Sequence, residues 1–333
     1  MTCLMPEKQN IFLRASVCST CNFSCQYCAT DLGMENHTPT CLKAPLLKTY
    51  EYVNNMKLLA QHGFKAISFT GGEPLLNPEL PEILEECRKI FDTIEITTNG
   101  SRLIENIEAV KKYVDVLKIS IDAYDPDLCA KIAQNHQAAK TTYIIEKCCE
   151  AGIKNIGLNF VYMKQNKDEL PKLVDFAGQL KRKYATEIYI SILDLYFSNG
   201  TRAFWKDQFV NLSDLRSKIM FQGRKINHRL RIGCDSYNFL WDDVHVNMKD
   251  SISCTHRAKI CETCSEYCQE GIYSLKHSAS GWISACPSNN PGLGALMGGN
   301  IEADEAHSII DRFVGIINEI KRIDNTGERF ITA

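Results

Sequence analysis

Apolar and polar positions follow two different spacings through the first two-thirds of this chain. Short apolar runs, which predict strands, occupy 11–17, 65–69, 94–98, 116–121, 155–163 and 187–195. Helical spacing fills the intervals near 45–62, 78–91, 103–113 and 168–184, and Asp125-Pro126 opens a further helix. Strand followed by helix, about six times over with short loops, predicts a parallel sheet covered by helices.

The chemically unusual residues fall at one end of the predicted strands. Right-handed crossovers wind such units into a barrel or partial barrel, whose reactive groups lie at the C-terminal strand ends. A cysteine cluster follows the first strand, residues 71–74 follow the second and Asn99 follows the third, while Ser120 and Asp122 close the fourth. The fold is therefore expected to be α/β, with a site at one rim of the barrel.

The strand–helix repeat stops near residue 196, which divides the chain into three predicted parts. A barrel domain is expected over 1–196 and an irregular connecting region over 197–253, with one helical patch near 212–220. A cysteine-rich module is expected over 254–333, ending in a helix at about 302–323.

Composition and charge exclude several classes of partner. The 333 residues are 44% hydrophobic and 23% charged, as in an ordinary globular protein. The net charge of -2 gives no electrostatic reason to expect a nucleic-acid polymer or a membrane as partner. Apolar runs are shorter than the roughly 18 residues of a membrane span, and the N-terminus lacks the layout of a signal peptide. These features predict a cytoplasmic protein.

Cysteine is unusually abundant, with 16 residues in two groups and a scattered remainder. In a long chain without an export signal, clustered thiols favour metal ligation over a disulfide framework. The groups are Cys18, Cys21, Cys25 and Cys28 near the start, and Cys254, Cys261, Cys264, Cys268 and Cys286 near the end. The others are expected to be small buried apolar side chains, namely Cys3, Cys41, Cys87, Cys129, Cys148, Cys149 and Cys234.

Cys21, Cys25 and Cys28 place three thiols in the predicted loop from the first strand to the first helix. Cysteine thiolates hold iron–sulfur clusters. Three ligands on a four-iron cluster leave one iron open, as a catalytic zinc keeps an open position for its substrate. The spacing alone is also compatible with a zinc site or with chance in a cysteine-rich chain.

With Tyr27 before the last cysteine, the CxxxCxxC spacing resembles the signature of the radical SAM superfamily. The resemblance implies that Cys21, Cys25 and Cys28 hold a catalytic [4Fe–4S] cluster in a partial (β/α)6 barrel. It implies that the amino and carboxylate groups of S-adenosylmethionine chelate the open iron. One electron then breaks a carbon–sulfur bond, and the resulting 5′-deoxyadenosyl radical removes hydrogen from a substrate.

A second motif, Gly71-Gly72-Glu73-Pro74, matches the family's GGEP element, which contacts the methionine amino group. Glycine permits close backbone approach, and a carboxylate accepts hydrogen bonds from an ammonium. The resemblance extends to further cofactor-binding residues near the ribose, the methionine carboxylate and the adenine: Thr98, Asn99, Ser120, Asp122, Asn159 and Met163. Two of these residues have an alternative explanation. Asn99 could be a turn residue, and Asn159 could be a polar strand residue whose hydrogen bonds are met within the protein.

The C-terminal cysteines predict a second metal site, with a zinc ribbon as the alternative to a second [4Fe–4S] cluster. Residues 274–286 predict a β-hairpin with its turn at Ser280-Gly281, which would return Cys286 to the CxxC loop. The arrangement resembles the auxiliary-cluster module called Twitch, the shortened form of SPASM. That resemblance implies ligation by Cys261, Cys264 and Cys286, with Cys268 as fourth ligand and Cys254 or Cys234 as substitutes.

Over most of its length the chain resembles the GTP cyclases of molybdenum-cofactor biosynthesis. It departs from them after the C-terminal CxxC, where Ser-Glu-Tyr-Cys replaces Asn-Arg-x-Arg, and at the sixth strand, which begins with Glu187. A triphosphate needs cations, and the remaining candidates are Lys164, Arg202, Arg229 and Arg231. A small-molecule substrate (a nucleotide, sugar or amino-acid derivative) is therefore expected. GTP or a ribosomal peptide is the alternative substrate, and flavodoxin or ferredoxin the expected reductant.

The other alternative is a non-enzymatic metal protein, such as a zinc-stabilised interaction module or a redox sensor. The 71–74 motif and the ordered strand–helix repeat argue against it.

Overall fold

The computed structural model describes residues 12–28, 44–222, 224–229, 235–251, 254–264, 268–269, 271–272, 274–286, 291–299 and 301–324. Cys3, Cys41, Cys234 and Arg231 lie outside the described residues.

Six strands and the helices between them open the chain, as the hydrophobic pattern predicts. They comprise β1 (Phe12–Ser16), α1 (Thr49–Gln61), β2 (Ala66–Thr70), α2 (Leu80–Arg88), β3 (Thr93–Thr98), α3 (Leu103–Tyr113), β4 (Val116–Ser120), α4 (Pro126–Ala133), α5 (Thr141–Glu150), β5 (Asn155–Tyr162), α6 (Leu170–Lys183) and β6 (Glu187–Asp194). Strands β1 to β6 lie side by side in sequence order, each parallel to the next. The predicted α/β fold with a parallel sheet is confirmed.

Local signals explain where several helices begin. The Asp125 carboxylate accepts a hydrogen bond from Leu128 N at 2.8 Å and caps α4. Pro126 and Pro81 occupy the first turns of α4 and α2, where a missing N–H costs little. In the described part of the chain, no helix is both long and apolar enough to cross a membrane.

The region 197–253 is more regular than the sequence pattern predicts. It contains α7 (Arg202–Gln208), α8 (Leu212–Phe221), β7 (Asn227–Arg229), β8 (Asp235–Trp241) and β9 (Val244–Asp250). The prediction of an irregular segment is wrong because the β8–β9 turn is made by Asp242 and Asp243, both at positive φ, without a glycine to mark it. Strand β9 pairs in parallel with β6 and continues the main sheet.

Three of the described C-terminal strands, β11 (Ser274–His277), β12 (Trp282–Ser284) and β13 (Gly294–Leu296), join the far edge of the same sheet. Two others, β10 (Cys254–Arg257) and β14 (Lys321–Asp324), pair with each other in a separate antiparallel sheet, and α9 (Ala303–Asn318) precedes β14. Strand β11 lies parallel to β1, and the full order is β13-β12-β11-β1-β2-β3-β4-β5-β6-β9-β8-β7. The predicted hairpin over 274–286 is confirmed as β11–β12.

The two faces of the sheet differ in polarity because successive residues of a strand point to opposite sides. One face packs against the helices and buries apolar side chains such as Ile67, Ile96, Ile119, Leu158 and Ile190. The same core contains Cys87, Cys129, Cys148 and Cys149, which confirms their predicted role as buried apolar side chains. The other face, called here the inner face, carries mostly polar side chains.

Candidate active site

The loop that follows β1, residues 17–28, carries the first cysteine group and is called the cluster loop. Cys21 and Cys28 are exposed, and Cys25 is half-buried. Cys28 N donates to Cys25 O at 2.9 Å, which closes a turn between the last two cysteines. The three thiols thus lie at the C-terminal rim of the sheet, where the sequence predicts them.

The glycines of the 71–74 motif let its backbone touch the backbone of the cluster loop. Gly72 N donates to Cys18 O at 3.1 Å, and Glu73 N donates to Thr20 O at 2.8 Å. A Cβ on Gly72 would overlap the Thr20 carbonyl and lie 2.8 Å from Cys21 N. The two loops therefore form one unit, and glycine is required at its contact.

Cys18 joins the same two loops through its side chain. Its thiol is buried and donates to Glu73 O at 2.9 Å. Burial raises the pKa of Cys18 to about 11, so this thiol stays neutral. The neighbouring Gly71 has φ 145°, and a Cβ there would lie 2.5 Å from Cys18 O. Cys18 therefore has a structural position beside the cysteines that are predicted as ligands.

The Glu73 carboxylate is 1% exposed and connects the ends of β2 and β3. It accepts hydrogen bonds from Thr98 Oγ1 at 2.6 Å, Asn99 N at 2.7 Å and Leu75 N at 3.1 Å. Burial raises its pKa, although the three donors oppose that shift. Sequence reasoning assigned Glu73 only to the cofactor, but its side chain also organises the rim on which the cofactor would rest.

Glu73→Ala is therefore expected to destabilise the protein as well as weaken cofactor binding. One buried and one partly buried backbone N–H group lose their acceptor, and the free energy of unfolding should fall by about 2–4 kcal/mol. Chemical denaturation of matched preparations measures the change. Glu105→Ala, which removes an exposed ion pair with Arg102, is the control and should stay within about 0.5 kcal/mol. A Glu73 variant as stable as this control would contradict the structural role.

Tyr27 joins the cluster loop to the end of β4. Its hydroxyl donates to Asp122 Oδ2 at 2.7 Å, and Val161 N donates to Asp122 Oδ1 at 3.2 Å. Burial raises the pKa of Asp122 to about 6, although both hydrogen bonds oppose the shift. The aromatic residue and the acid, predicted separately as cofactor residues, contact each other directly.

Asparagines that the sequence did not single out hold the third side of the cluster loop. Asn99 Nδ2 donates to Asn22 Oδ1 at 3.0 Å, and Asn22 Nδ2 donates to Ser101 Oγ at 2.9 Å. Asn135 Nδ2, just beyond α4, donates to Asn22 O at 2.7 Å. These partners are distant in sequence, so no local pattern marks Asn22 or Asn135.

The thiols lie in an environment that suits a bound iron–sulfur cluster. Burial raises the pKa of Cys25 far above its ordinary value, and Asp122, Cys28 and Cys21 raise it further. Metal coordination reverses such a shift because it supplies positive charge. The Cys21 sulfur also accepts hydrogen bonds from Phe23 N at 3.4 Å and from an Asn99 amide at 3.8 Å, as cluster ligands do.

The donor set consists of three cysteine thiols on one loop, and thiolates are the ligands of iron–sulfur clusters. Within the described ranges, no group of three or more His, Cys, Asp or Glu side chains is arranged to hold one metal ion. A four-iron cluster needs only that each thiolate reaches its own iron.

The other predicted cofactor residues lie on the same rim. Pro74 is buried at the start of a short 3₁₀ turn. Ser120 and Asn159 are direct neighbours on β4 and β5 and are half-buried on the inner face. Met163, just beyond β5, is fully buried and forms an isolated β-bridge with Phe209. Packing therefore accounts for an apolar residue there, in addition to the predicted cofactor contact.

The inner face carries a layer of uncharged polar side chains that crosses five strands. In register order the members of this polar layer are Ser120, Asn159, Ser191, Asn247 and Asn238. Strands are about 4.8 Å apart, so the layer spans roughly 20 Å. Asn247 Nδ2 donates to Asn238 Oδ1 at 2.9 Å, whereas Asn247 Oδ1 is buried without a partner among the described residues.

The C-terminal cysteines lie in short, tightly turned segments. Cys264 N donates to Cys261 O at 3.2 Å, which closes the CxxC turn. Cys268 is half-buried, and its sulfur accepts a hydrogen bond from Gly271 N at 3.3 Å. Cys286 follows β12 and is buried. The side chain of Cys254, one of the suggested substitutes, lies outside the described residues.

Comparison with known proteins decides the family. The model of the radical SAM superfamily matches residues 16–177, which include the cluster loop, the 71–74 motif and strands β2 to β5. The chain belongs to the radical SAM superfamily. It is thus an enzyme whose cofactors are a [4Fe–4S] cluster and S-adenosylmethionine, as the resemblance implied. The superfamily and its barrel fold are confirmed.

Curated radical SAM relatives point to the branch that the sequence motifs resemble. A GTP 3′,8-cyclase of Listeria welshimeri is 29% identical over 287 residues, covering 83% of this chain and 78% of the relative. Human molybdenum cofactor biosynthesis protein 1 is 33% identical over 175 residues, covering 51% of this chain and 26% of the human protein.

Solved structures show the same radical SAM fold. SuiB of Streptococcus suis bound to its precursor peptide SuiA gives a TM-score of 0.62 at 16% identity, covering 92% of this chain and 64% of SuiB. SuiB bound to S-adenosylmethionine gives a TM-score of 0.58 at 17% identity, covering 83% of this chain and 60% of SuiB. The chain therefore spans less than two-thirds of SuiB, and the likeness concerns the fold.

Proposed function

We propose that this radical SAM enzyme removes a hydrogen atom from a small molecule bound against the inner face of its sheet. The polar layer is the observation that carries the proposal. Ser120 and Asn159 start the layer at the predicted cofactor residues, and Asn238 and Asn247 end it on added strands beyond the barrel. A substrate lying along these residues would have polar partners beside the reacting cofactor.

The charge of the layer favours an uncharged part of the substrate. Its five members are serines and asparagines, so none supplies a counter-ion. Lys118, two residues before Ser120 on the same face, is paired with Glu95. Among the described residues, no donor reaches the buried Asn247 Oδ1, and a buried acceptor is costly unless a ligand supplies the donor. A hydroxyl, amide or ring N–H of the substrate fits this position.

The cofactor chemistry depends on the residues of the rim. When bound, the cluster and S-adenosylmethionine supply one-electron cleavage of a carbon–sulfur bond and a radical that abstracts hydrogen. Cys21, Cys25 and Cys28 would hold the cluster. Residues 71–74 would orient the methionine amino group, and the others that line the rim would contact the rest of the cofactor: Thr98, Asn99, Ser120, Asp122, Asn159 and Met163.

We further propose that Cys261, Cys264, Cys268 and Cys286 hold a second [4Fe–4S] cluster. The CxxC turn and the N–H bond to the Cys268 sulfur are features of cysteine ligands. Four protein ligands would favour electron transfer, whereas three would favour substrate binding at the open iron.

GTP 3′,8-cyclisation is the second candidate function, because the Listeria relative shares that name over most of both chains. Against it, the residues after the C-terminal CxxC depart from the Asn-Arg-x-Arg of those cyclases. Arg202 lies over the Phe197 ring, with its guanidinium carbon 5.7 Å from the ring centroid. Glu187 begins β6 and pairs with Lys181.

Deuterium transfer distinguishes the candidates. Reconstituted, reduced enzyme is incubated with unlabelled S-adenosylmethionine and with extracts of cells grown in heavy water, separated by ultrafiltration. Deuterium in 5′-deoxyadenosine from the small-molecule filtrate supports the proposal. Deuterium from the retained peptide fraction alone contradicts it, and transfer from deuterated GTP with formation of 3′,8-cyclo-GTP supports the second candidate.

Iron content tests the second cluster separately. Wild type should bind about eight irons and the Cys21/Cys25/Cys28→Ala triple variant about four, if two four-iron clusters are present. About four irons in wild type and none in the variant, with zinc bound, would make the C-terminal cysteines a zinc site.

A reductant must deliver the electron, and a flavodoxin or ferredoxin is the proposed donor. A cytoplasmic location stays a prediction from the sequence. Reduction of the reconstituted enzyme by purified flavodoxin and its reductase, followed by electron paramagnetic resonance, tests the donor directly.

A further inference from the structure

Gln269 directly follows Cys268 and ties it to the end of the sixth barrel strand. The side chain is 1% exposed, and its Nε2 donates to Leu195 O at 3.1 Å and to Asp194 Oδ2 at 3.2 Å. Its Oε1 accepts a hydrogen bond from Phe197 N at 2.8 Å. Both ends of the carboxamide are therefore used within one segment, residues 194–197.

That segment is itself rigidly held. Asp194 Oδ2 accepts hydrogen bonds from Ser251 Oγ at 2.5 Å and from Ser251 N at 3.1 Å. Leu195 O also accepts a hydrogen bond from Trp205 Nε1 at 3.0 Å. Gln269 thus docks onto a surface already fixed by β9 and α7, rather than onto a free loop end.

A small apolar cluster extends from this segment towards the first cysteine group. Its members, called here the mouth cluster, are Ile132, Met163, Leu195, Phe197 and Trp205, separate from the main core. Tyr27, which precedes Cys28 in the cluster loop, packs against the mouth cluster and donates to Asp122. The mouth cluster therefore connects Tyr27, beside Cys28, with Gln269, beside Cys268.

Cys268 has further ties to its own module. Gly271 N donates to its sulfur at 3.3 Å, and an Arg257 guanidinium nitrogen donates to its carbonyl at 3.3 Å. Bonds of this kind orient metal ligands and tune the bound metal. Gln269 is the member of the set that reaches across to the barrel.

We infer that Gln269 is a positioning residue that fixes the C-terminal cysteine site beside the carboxyl end of β6, at a set separation from the N-terminal cysteines. The inference rests on the second cluster proposed above. A second cluster that binds substrate or exchanges an electron at the barrel mouth must lie at a defined distance from the first. Small displacements from that geometry lower the rate of reaction strongly. The mouth cluster acts as the spacer that sets this distance.

Two variants of the full chain test the inference by hydrogen exchange followed by mass spectrometry. Gln269→Ala removes all three hydrogen bonds, whereas Gln269→Glu keeps an acceptor for Phe197 N but faces Asp194 with a second carboxylate. In both variants, peptides covering residues 195–205 and 268–272 should exchange roughly 10-fold faster or more. Gln61→Ala, on the exposed end of α1, is the matched control and should exchange as wild type.

A spectroscopic arm distinguishes positioning from mere stability. In the Cys21/Cys25/Cys28→Ala background, the remaining iron–sulfur signal should shift or disappear with Gln269→Ala but not with Gln61→Ala. Wild-type exchange together with an unchanged signal overturns the inference. If that background binds zinc instead of iron, the second-cluster proposal fails, and the exchange arm alone decides the position of Gln269. Faster exchange spread evenly over β2 to β5 would show global loosening and would also overturn it.

Discussion

Cys25→Ala is expected to abolish 5′-deoxyadenosine formation by the reconstituted, reduced enzyme. Cys25 is the most buried of the three proposed ligand thiols and lies between Cys21 and Cys28 in the cluster loop. Loss of a residue that hydrogen-bonds to a metal ligand typically lowers metal affinity or activity by about 10- to 100-fold. Loss of a ligand itself should lower them further. Chromatography of reaction mixtures with S-adenosylmethionine and dithionite measures the product, and iron analysis of the same samples shows whether the cluster is lost.

The matched control for this prediction is Cys87→Ala. Cys87 is fully buried in α2 within the main core, and burial raises the pKa of its thiol to about 12. Removing one sulfur from a packed site should cost about 1 kcal/mol of stability and leave product formation intact. Wild-type amounts of 5′-deoxyadenosine from Cys25→Ala would contradict the assignment of the N-terminal cysteines.

Gly72→Ala should remove most of the iron without touching a ligand. The new Cβ would overlap the Thr20 carbonyl and crowd Cys21 N, and both atoms belong to backbone that no rotamer change can move. The 71–74 loop and the cluster loop must separate, which breaks the hydrogen bonds from Gly72 N and Glu73 N. Overpacking of this kind costs about 1–3 kcal/mol or more. Iron per chain and the denaturation midpoint are the measurements.

Gly315→Ala provides the comparison for the same chemical change. Gly315 lies in α9, and a Cβ there would have no neighbour within 4 Å. Alanine favours a helix interior over glycine by about 1 kcal/mol, so this variant should be as stable as wild type or more so, with full iron. A Gly72→Ala protein that keeps its iron and its binding of S-adenosylmethionine would show that the close contact between the loops is dispensable.

Residues predicted to contact the cofactor also support the structure of the rim. Glu73 was predicted for its charge, yet its two oxygens are already engaged by Thr98, Asn99 and Leu75. Tyr27 and Asp122 likewise bond to each other. Substitutions at these positions therefore need a stability measurement beside any activity measurement, since loss of activity alone would not separate the two roles.

Local sequence determined much of this protein. The apolar runs and helical spacing predict all six parallel strands within a few residues, because each element repeats its own short period. The CxxxCxxC and GGEP motifs identify the superfamily, because ligand spacing on one loop and glycine-rich turns are properties of contiguous residues. The hairpin that carries Cys286 was also predictable from its turn at Ser280-Gly281.

Tertiary structure alone decided the contacts between distant segments. Strand β9 shows alternating apolar positions, but only its pairing with β6 places Asn247 in the polar layer beside Ser191. The parallel pairing of β1 with β11 joins residues near opposite ends of the chain, and no periodicity specifies such a register. No local pattern specifies the hydrogen bond from Gln269 to Leu195 O or the close contact of Gly72 with the Thr20 carbonyl either. Spacing along the chain selects the ligands and the cofactor, whereas packing between elements sets the distances at which they act.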